Sequence, residues 1–80
     1  MLPRSVDHLR ADVIANIRAH ASQRNVPLSL LADFAGVSRA HFFDVLAGRK
    51  DPTLTWLAKV AAALGIDVSD LLTPAELLRP

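Results

Sequence analysis

The chain has no cysteine and no tyrosine among its 80 residues, and only three glycines, three phenylalanines and one tryptophan. Without cysteine there is neither a disulfide nor a thiolate metal site, a composition that suits a reducing compartment. A cytoplasmic location is therefore expected. No apolar run approaches the ~18 residues that a membrane span requires. The opening MLPRSVDHLR lacks the apolar centre of a signal peptide. An excess of one sign of charge is missing too: nine Lys and Arg against eight Asp and Glu give a net charge of +1. Such a balance is too mild to announce a nucleic-acid partner by itself. Position carries more information. Arg49 and Lys50 are adjacent, Arg39 precedes them by a short segment, and Asp44 among them dilutes any positive patch.

What the chain does have is apolar residues, 51% of the total, mostly Leu, Ala and Val. A chain this short buries only ~60–65% of the surface its unfolded form exposes, so a small core is feasible. The apolar positions recur at helical spacing. Val6, Leu9, Val13, Ile17 and Ala21 form one stripe, which predicts a first helix from about Ser5 to Arg24. RNVP ends it, because the residue before Pro27 disfavours helical backbone. A second helix is expected over Leu28 to Ala35, stopped by Gly36. A third runs from Ser38, as its N-cap, to Ala47, stopped by Gly48. GRKDP reads as a polar loop. Thr53 caps a fourth helix, Leu54 to Leu64, with Leu57, Val60, Ala61 and Leu64 on one face. Asp67 caps a short fifth helix in DVSDLL. Thr73, Pro74 and Glu76 match a capping box that would begin a final turn. No strand pattern survives. Helices this short are marginal alone, so the expected fold is a compact all-α cluster: one domain over residues 1–80, with a core at about 6–72 and a C-terminal extension at 73–80.

Two helices joined by a short turn containing glycine make a helix-turn-helix. Ala32 is small where the second and third helices approach. Gly36 accommodates the turn. Val37, Phe42 and Val45 point into the core. Consecutive helical residues lie ~100° apart, so burying Phe42 turns Phe43 outward, together with Ala40, Asp44 and Ala47. With the following GRK-x-PTL, LAKVAAALG and DVSDLL, this pattern resembles the Cro/phage-repressor (λ-repressor-like) helix-turn-helix family from about Ile17 to Leu72. The resemblance implies a five-helix DNA-binding domain, here with an N-terminally extended first helix. It implies a homodimer reading double-stranded operator DNA with its third helix in the major groove. It assigns DNA contacts to Ser38, Arg39, Ala40, Phe43 and Asp44 on that helix, and to Arg49 and Lys50 in the loop behind it. The chemistry fits. Arginine can bond two guanine acceptors, aspartate can accept from cytosine, and Ala40 and Phe43 can touch a thymine methyl. Arg49 and Lys50 would neutralise phosphate and set register.

The chain departs from the family's pattern at the start of the second helix. Pro27 and Leu28 stand where Ser or Thr and then Gln are frequent. Proline has no N–H to offer a phosphate and leucine cannot hydrogen-bond one. Leu46 and Ala21 replace an ion pair found in some members with an apolar contact, a swap that is often neutral or stabilising. The second helix is also apolar on its outer side, at Leu28, Leu30 and Phe34. With Phe43 these residues offer a surface for a protein partner. A dimer contact and packing of the extended first helix remain alternatives for the surplus.

The bland readings stand beside these. Arg39, Arg49 and Lys50 would serve equally as solvated surface, and His41 as a surface histidine beside the third helix. His8 and His20 have no ligand partners nearby, so no metal and no cofactor is expected. Trp56 belongs to the core, with an indole N–H within reach of a passing phosphate. There is no nucleophile in a motif, no Gly-rich phosphate loop and no framed carboxylate pair, so an enzyme is not expected. Two functions compete: a sequence-specific transcriptional regulator, and a protein-interaction module, antitoxin-like or adaptor, on the same fold.

Overall fold

In the computed structural model, which describes residues 5–75, four of the five helices begin on a side-chain oxygen. Ser5 accepts from the His8 N–H and opens α1, Val6–Gln23. Ser38 accepts from the His41 N–H and opens α3, Arg39–Leu46. Thr53 accepts from the Trp56 N–H and opens α4, Leu54–Leu64. Asp67 accepts from the Ser69 N–H, and Asp70 closes the capping box on α5, Val68–Leu72. Each oxygen satisfies an N–H that the helix cannot pair internally. The exception is α2, Leu28–Ala35, whose N-cap is Pro27 and has no side-chain bond.

α1 ends at the expected place, with Arg24 as its C-cap, but the cause differs from the expected one. Its last residue is Gln23, and Asn25 takes a positive φ of 55°. The chain has therefore already turned, with the Val26 N–H on the Ala21 carbonyl at 2.9 Å, before Pro27 exerts its effect on Val26. Asparagine is among the few non-glycine residues that tolerate this region. α2 ends on Gly36 at φ 71°, where an added Cβ would meet nothing within 4 Å. Backbone conformation, rather than space, favours glycine there.

The helices share one core. Val13, Ile17 and Ala21 of α1, Leu31, Ala32 and Ala35 of α2, Phe42, Val45 and Leu46 of α3, five residues of α4, and Leu71 of α5 are all buried. α1 packs on α5 and α2 on α4, while α5 also closes against α4. The radius of gyration, 11.9 Å, is close to the value of about 11.6 Å expected for a compact chain of this length. The fold is all-α, and no strand occurs among the described residues. The α1 stripe outruns the core: Val6 is 62% exposed and Leu9 lies at the margin of exposure. Two polar residues that the apolar stripe did not predict are buried beside it, Asp12 and Asn16. The Asn16 amide donates to the carbonyls of Leu71 at 2.8 Å and Thr73 at 2.7 Å, ending α5 from across the fold. Asp12 accepts from the Ala75 N–H at 3.2 Å. Thr73 is the C-cap of α5, and the capping partner Glu76 and the rest of the turn expected from Pro74 lie outside the described residues.

No described helix is long and apolar enough to cross a membrane.

Candidate nucleic-acid interface

The turn between α2 and α3 fixes the surface of interest. The Gly36 N–H donates to the Asp33 carbonyl and the Val37 N–H to the Ala32 carbonyl, both at 3.1 Å. Val37 packs half-buried against the core. Ser38 then starts α3, and Phe42 and Val45 seat it with no exposed surface. This seating leaves Ala40, Phe43 and Ala47 exposed and Asp44 half-buried on the opposite side. The helical wheel thus gives the observed sidedness. Phe43 is 39% exposed and sets its ring edge-on to Phe42, with centroids 5.5 Å apart.

The N-cap is the strut of this arrangement. Ser38→Ala should cost about 1 kcal/mol, the usual price of losing a serine cap. For a domain of this size that corresponds to a fall of roughly 4–8 °C in Tm, measurable by thermal unfolding followed by circular dichroism.

The arginines are not free. Arg39, the first residue of α3, makes a two-pronged contact with Asp33 of α2: Nε to Oδ1 at 3.0 Å and Nη2 to Oδ2 at 2.5 Å. Hydrogen bonding to Arg39 holds the Asp33 carboxyl below its ordinary range, and the same bond raises Arg39. A depressed carboxyl pKa stabilises the fold only above the ordinary carboxylate range, and that contribution fades as pH falls through the lowered value. The pair is therefore charged throughout the neutral range. Both side chains face solvent, so its stabilising value is small. Arg49 turns back on α3 in a similar way, placing Nε at 3.0 Å and Nη2 at 2.8 Å from Asp44 Oδ1. Its backbone N–H also donates to the Asp44 carbonyl at 2.9 Å. Lys50 is exposed and engages no partner among the described residues.

The aromatic neighbours brace α3 from below. Trp56 is buried and stacks at a tilt on Phe42, with centroids 5.7 Å apart. His41 is half-buried and meets Trp56 edge-on at 6.2 Å. The indole N–H of Trp56 is buried without an acceptor. It therefore does not face a passing backbone, contrary to the reach the sequence suggested. Leu28 also differs from expectation. It packs half-buried against the core, so on α2 only Leu30 and Phe34 keep large apolar exposure, 40% and 63%.

Sequence reasoning missed Asp33. Opposite charges at Asp33 and Arg39 flank a turn, six positions apart, and the three- and four-residue helical rule does not reach across a turn. It also missed Arg10, which bridges Asp7 and Asp51 at 2.7 Å each and ties α1 to the loop before α4. No group of His, Cys, Asp and Glu with metal-binding geometry occurs among the described residues.

No protein-family model and no curated protein sequence matches the chain. Solved structures do. The fold is similar to that of a hypothetical transcription factor, NHTF, from Neisseria, with a TM-score of 0.83, 28% identity, and coverage of 98% of this chain and 93% of that one. It is similar to the clp gene regulator ClgR from Corynebacterium glutamicum, with a TM-score of 0.77, 32% identity, and coverage of 95% and 79%. The restriction-modification controller protein C.AhdI from Aeromonas hydrophila shares the fold at a TM-score of 0.71 and 22% identity, over 84% and 98% of the two chains.

Proposed function

This chain belongs to the helix-turn-helix transcription regulators, and we propose that it reads a pseudo-palindromic operator as a homodimer with α3 in the major groove of double-stranded DNA. The observation that carries this reading is the sidedness of α3. Its inner face is fixed by Phe42 and Val45, and its outer face is presented clear of the core with an arginine at its leading end. A helix offered in this way fits the major groove, and its N-terminal residues meet base edges. Arg39 reads guanine. Ala40 and Phe43 contact thymine methyl groups, and Asp44 accepts from a cytosine amino group when Arg49 releases it. Ser38, Arg49 and Lys50 meet phosphate and set register. Two-fold symmetry places the half-sites about 34–36 Å apart. Such a regulator works in the cytoplasm and needs no metal or cofactor.

The first test is Arg39→Ala on a duplex recovered by binding-site selection. Loss of a bidentate guanine contact should cost ~1–3 kcal/mol, or roughly 5–150-fold in Kd, and relax preference at one base pair per half-site. Unchanged affinity with unchanged preference would remove Arg39 from the reading.

A second reading rests on Leu30 and Phe34, which leave an apolar strip on α2 beside a helix start without a side-chain cap. Together with Phe43 it would suit a protein partner, making the chain an interaction module of the antitoxin-like or adaptor kind. Salt separates the two readings, because phosphate binding weakens steeply with ionic strength and an apolar contact does not.

A further inference from the structure

We propose that Asp33 is a specificity-determining residue that buttresses Arg39, holding its guanidinium so that one edge is occupied by the protein and the other is presented to guanine. The inference rests on the reading of α3 as the DNA-contacting helix and goes beyond it, since Asp33 lies on α2 and touches no base in that reading.

The geometry is specific. Asp33 takes the Nε and Nη2 donors of Arg39, one oxygen to each nitrogen. A guanidinium is planar and carries five N–H donors in a fixed fork. The contact with Asp33 consumes the side edge, one hydrogen on Nε and one on Nη2. The end edge, one hydrogen on Nη1 and the second on Nη2, stays free. Those two parallel donors match the O6 and N7 acceptors of guanine. The carboxylate therefore leaves the contact available and fixes the plane from which it is made. Arginine otherwise has several rotatable bonds to immobilise, and each ordered side chain of this kind costs free energy on binding. With the fork already held across the turn, part of that cost is met in the free protein.

Asp33 is itself placed by the turn. Its carbonyl receives the Gly36 N–H, so the residue that closes α2 also orients the first residue of α3. Its side chain remains 44% exposed and that of Arg39 60% exposed, so the pair sits on the surface where a base edge can approach.

A carboxylate near DNA has an opposite effect on phosphate, which it repels. The two consequences separate experimentally. A buttress raises discrimination between base pairs, whereas a mere negative charge lowers affinity for all DNA alike. Asp33→Asn and Asp33→Ala should therefore reduce the preference for G·C over A·T at the Arg39 position by about five- to tenfold, a part of the full bidentate value. The same variants should hold or tighten binding to unrelated duplex DNA. In an Arg39→Ala background, Asp33→Asn should change discrimination no further.

The experiment measures Kd for wild type, Asp33→Asn, Asp33→Ala, Arg39→Ala and the Arg39→Ala/Asp33→Asn double variant. The probes are the selected duplex, its single-base-pair variants and an unrelated duplex. Circular dichroism checks that each protein is folded. Lower discrimination with unchanged or tighter non-specific binding supports the buttress. Equal tightening on every duplex, or discrimination that Asp33→Asn leaves intact while Arg39→Ala abolishes it, overturns the buttress and leaves the reading of α3 standing. If Arg39→Ala itself leaves discrimination intact, the assignment of Arg39 fails, and the role of Asp33 falls with it.

Discussion

Phe42→Ala should remove about half of the stability of this protein, while Phe43→Ala should leave most of it in place. Phe42 has no exposed surface, and its ring lies between Trp56 at 5.7 Å and Phe43 at 5.5 Å. Truncating a buried phenylalanine removes its transfer free energy and leaves a cavity, together about 3–5 kcal/mol. A chain of this length has a total stability of roughly 4–12 kcal/mol. The variant is therefore expected to populate unfolded protein at room temperature or to melt far below the wild type. Phe43 is 39% exposed, and its truncation gives up part of one edge-on aromatic contact. That change should cost about 1 kcal/mol or less. Urea unfolding of the two variants measures both values directly. Similar losses in the two would mean that the outer ring is as much a part of the core as the inner one.

The second large effect is expected at Asn16. Its amide nitrogen supplies hydrogen bonds to two carbonyls, those of Leu71 and Thr73, inside the fold. The Leu71 carbonyl belongs to the last turn of a helix and has no partner within that helix. Asn16→Ala strands both acceptors and leaves a void, at about 1–3 kcal/mol for each group that stays buried. Asn16→Asp is worse at neutral pH, since a carboxylate would face two carbonyl oxygens without water. Burial beside those oxygens raises the pKa of the introduced group in the folded state. A group with a raised folded pKa is best tolerated when protonated, so the aspartate variant should regain stability as pH falls through that value. The wild type has asparagine there and should show no such gain. Thermal melts of Asn16→Asp across a mildly acidic series read this out. Unchanged stability at neutral pH would show that α5 does not depend on this clamp.

These two residues also mark what the sequence made legible. The boundaries of α2 and α4 were readable to the residue, because left-handed glycines end both, a proline opens one and a threonine oxygen the other, and apolar spacing fills the interval. The opposite facing of Phe42 and Phe43 followed from helical periodicity once the turn at Gly36 was placed. Asn16 was not readable. It sits on the buried side of α1 as an apparent polar interruption, and its partners lie 55 and 57 positions away. Leu28 appeared surplus for the opposite reason, since nothing in a pattern says which of several apolar residues the neighbouring helices will cover. In the candidate interface, sequence placed Arg39, Phe43, Asp44 and Arg49 on the right elements but treated the charges as separate. The pairing of Arg39 with Asp33, and of Arg49 with Asp44, depends on how a turn and a loop fold back on α3. Those pairings leave Lys50 as the cation beside α3 that no side chain of the described residues already holds.

The proposed interface meets phosphates through Arg49 and Lys50 as well as base edges through α3. The most direct test is titration of the protein against its selected duplex, and against DNA from upstream of its own gene, at 50 and 200 mM salt. In the proposed dimer, Arg49 and Lys50 of each protomer would supply about four phosphate contacts, and binding should weaken roughly a hundredfold over that range. Binding that is absent at both salt concentrations, or that ignores the change in salt, would contradict that assignment and leave the apolar surface of α2 and Phe43 as the functional face.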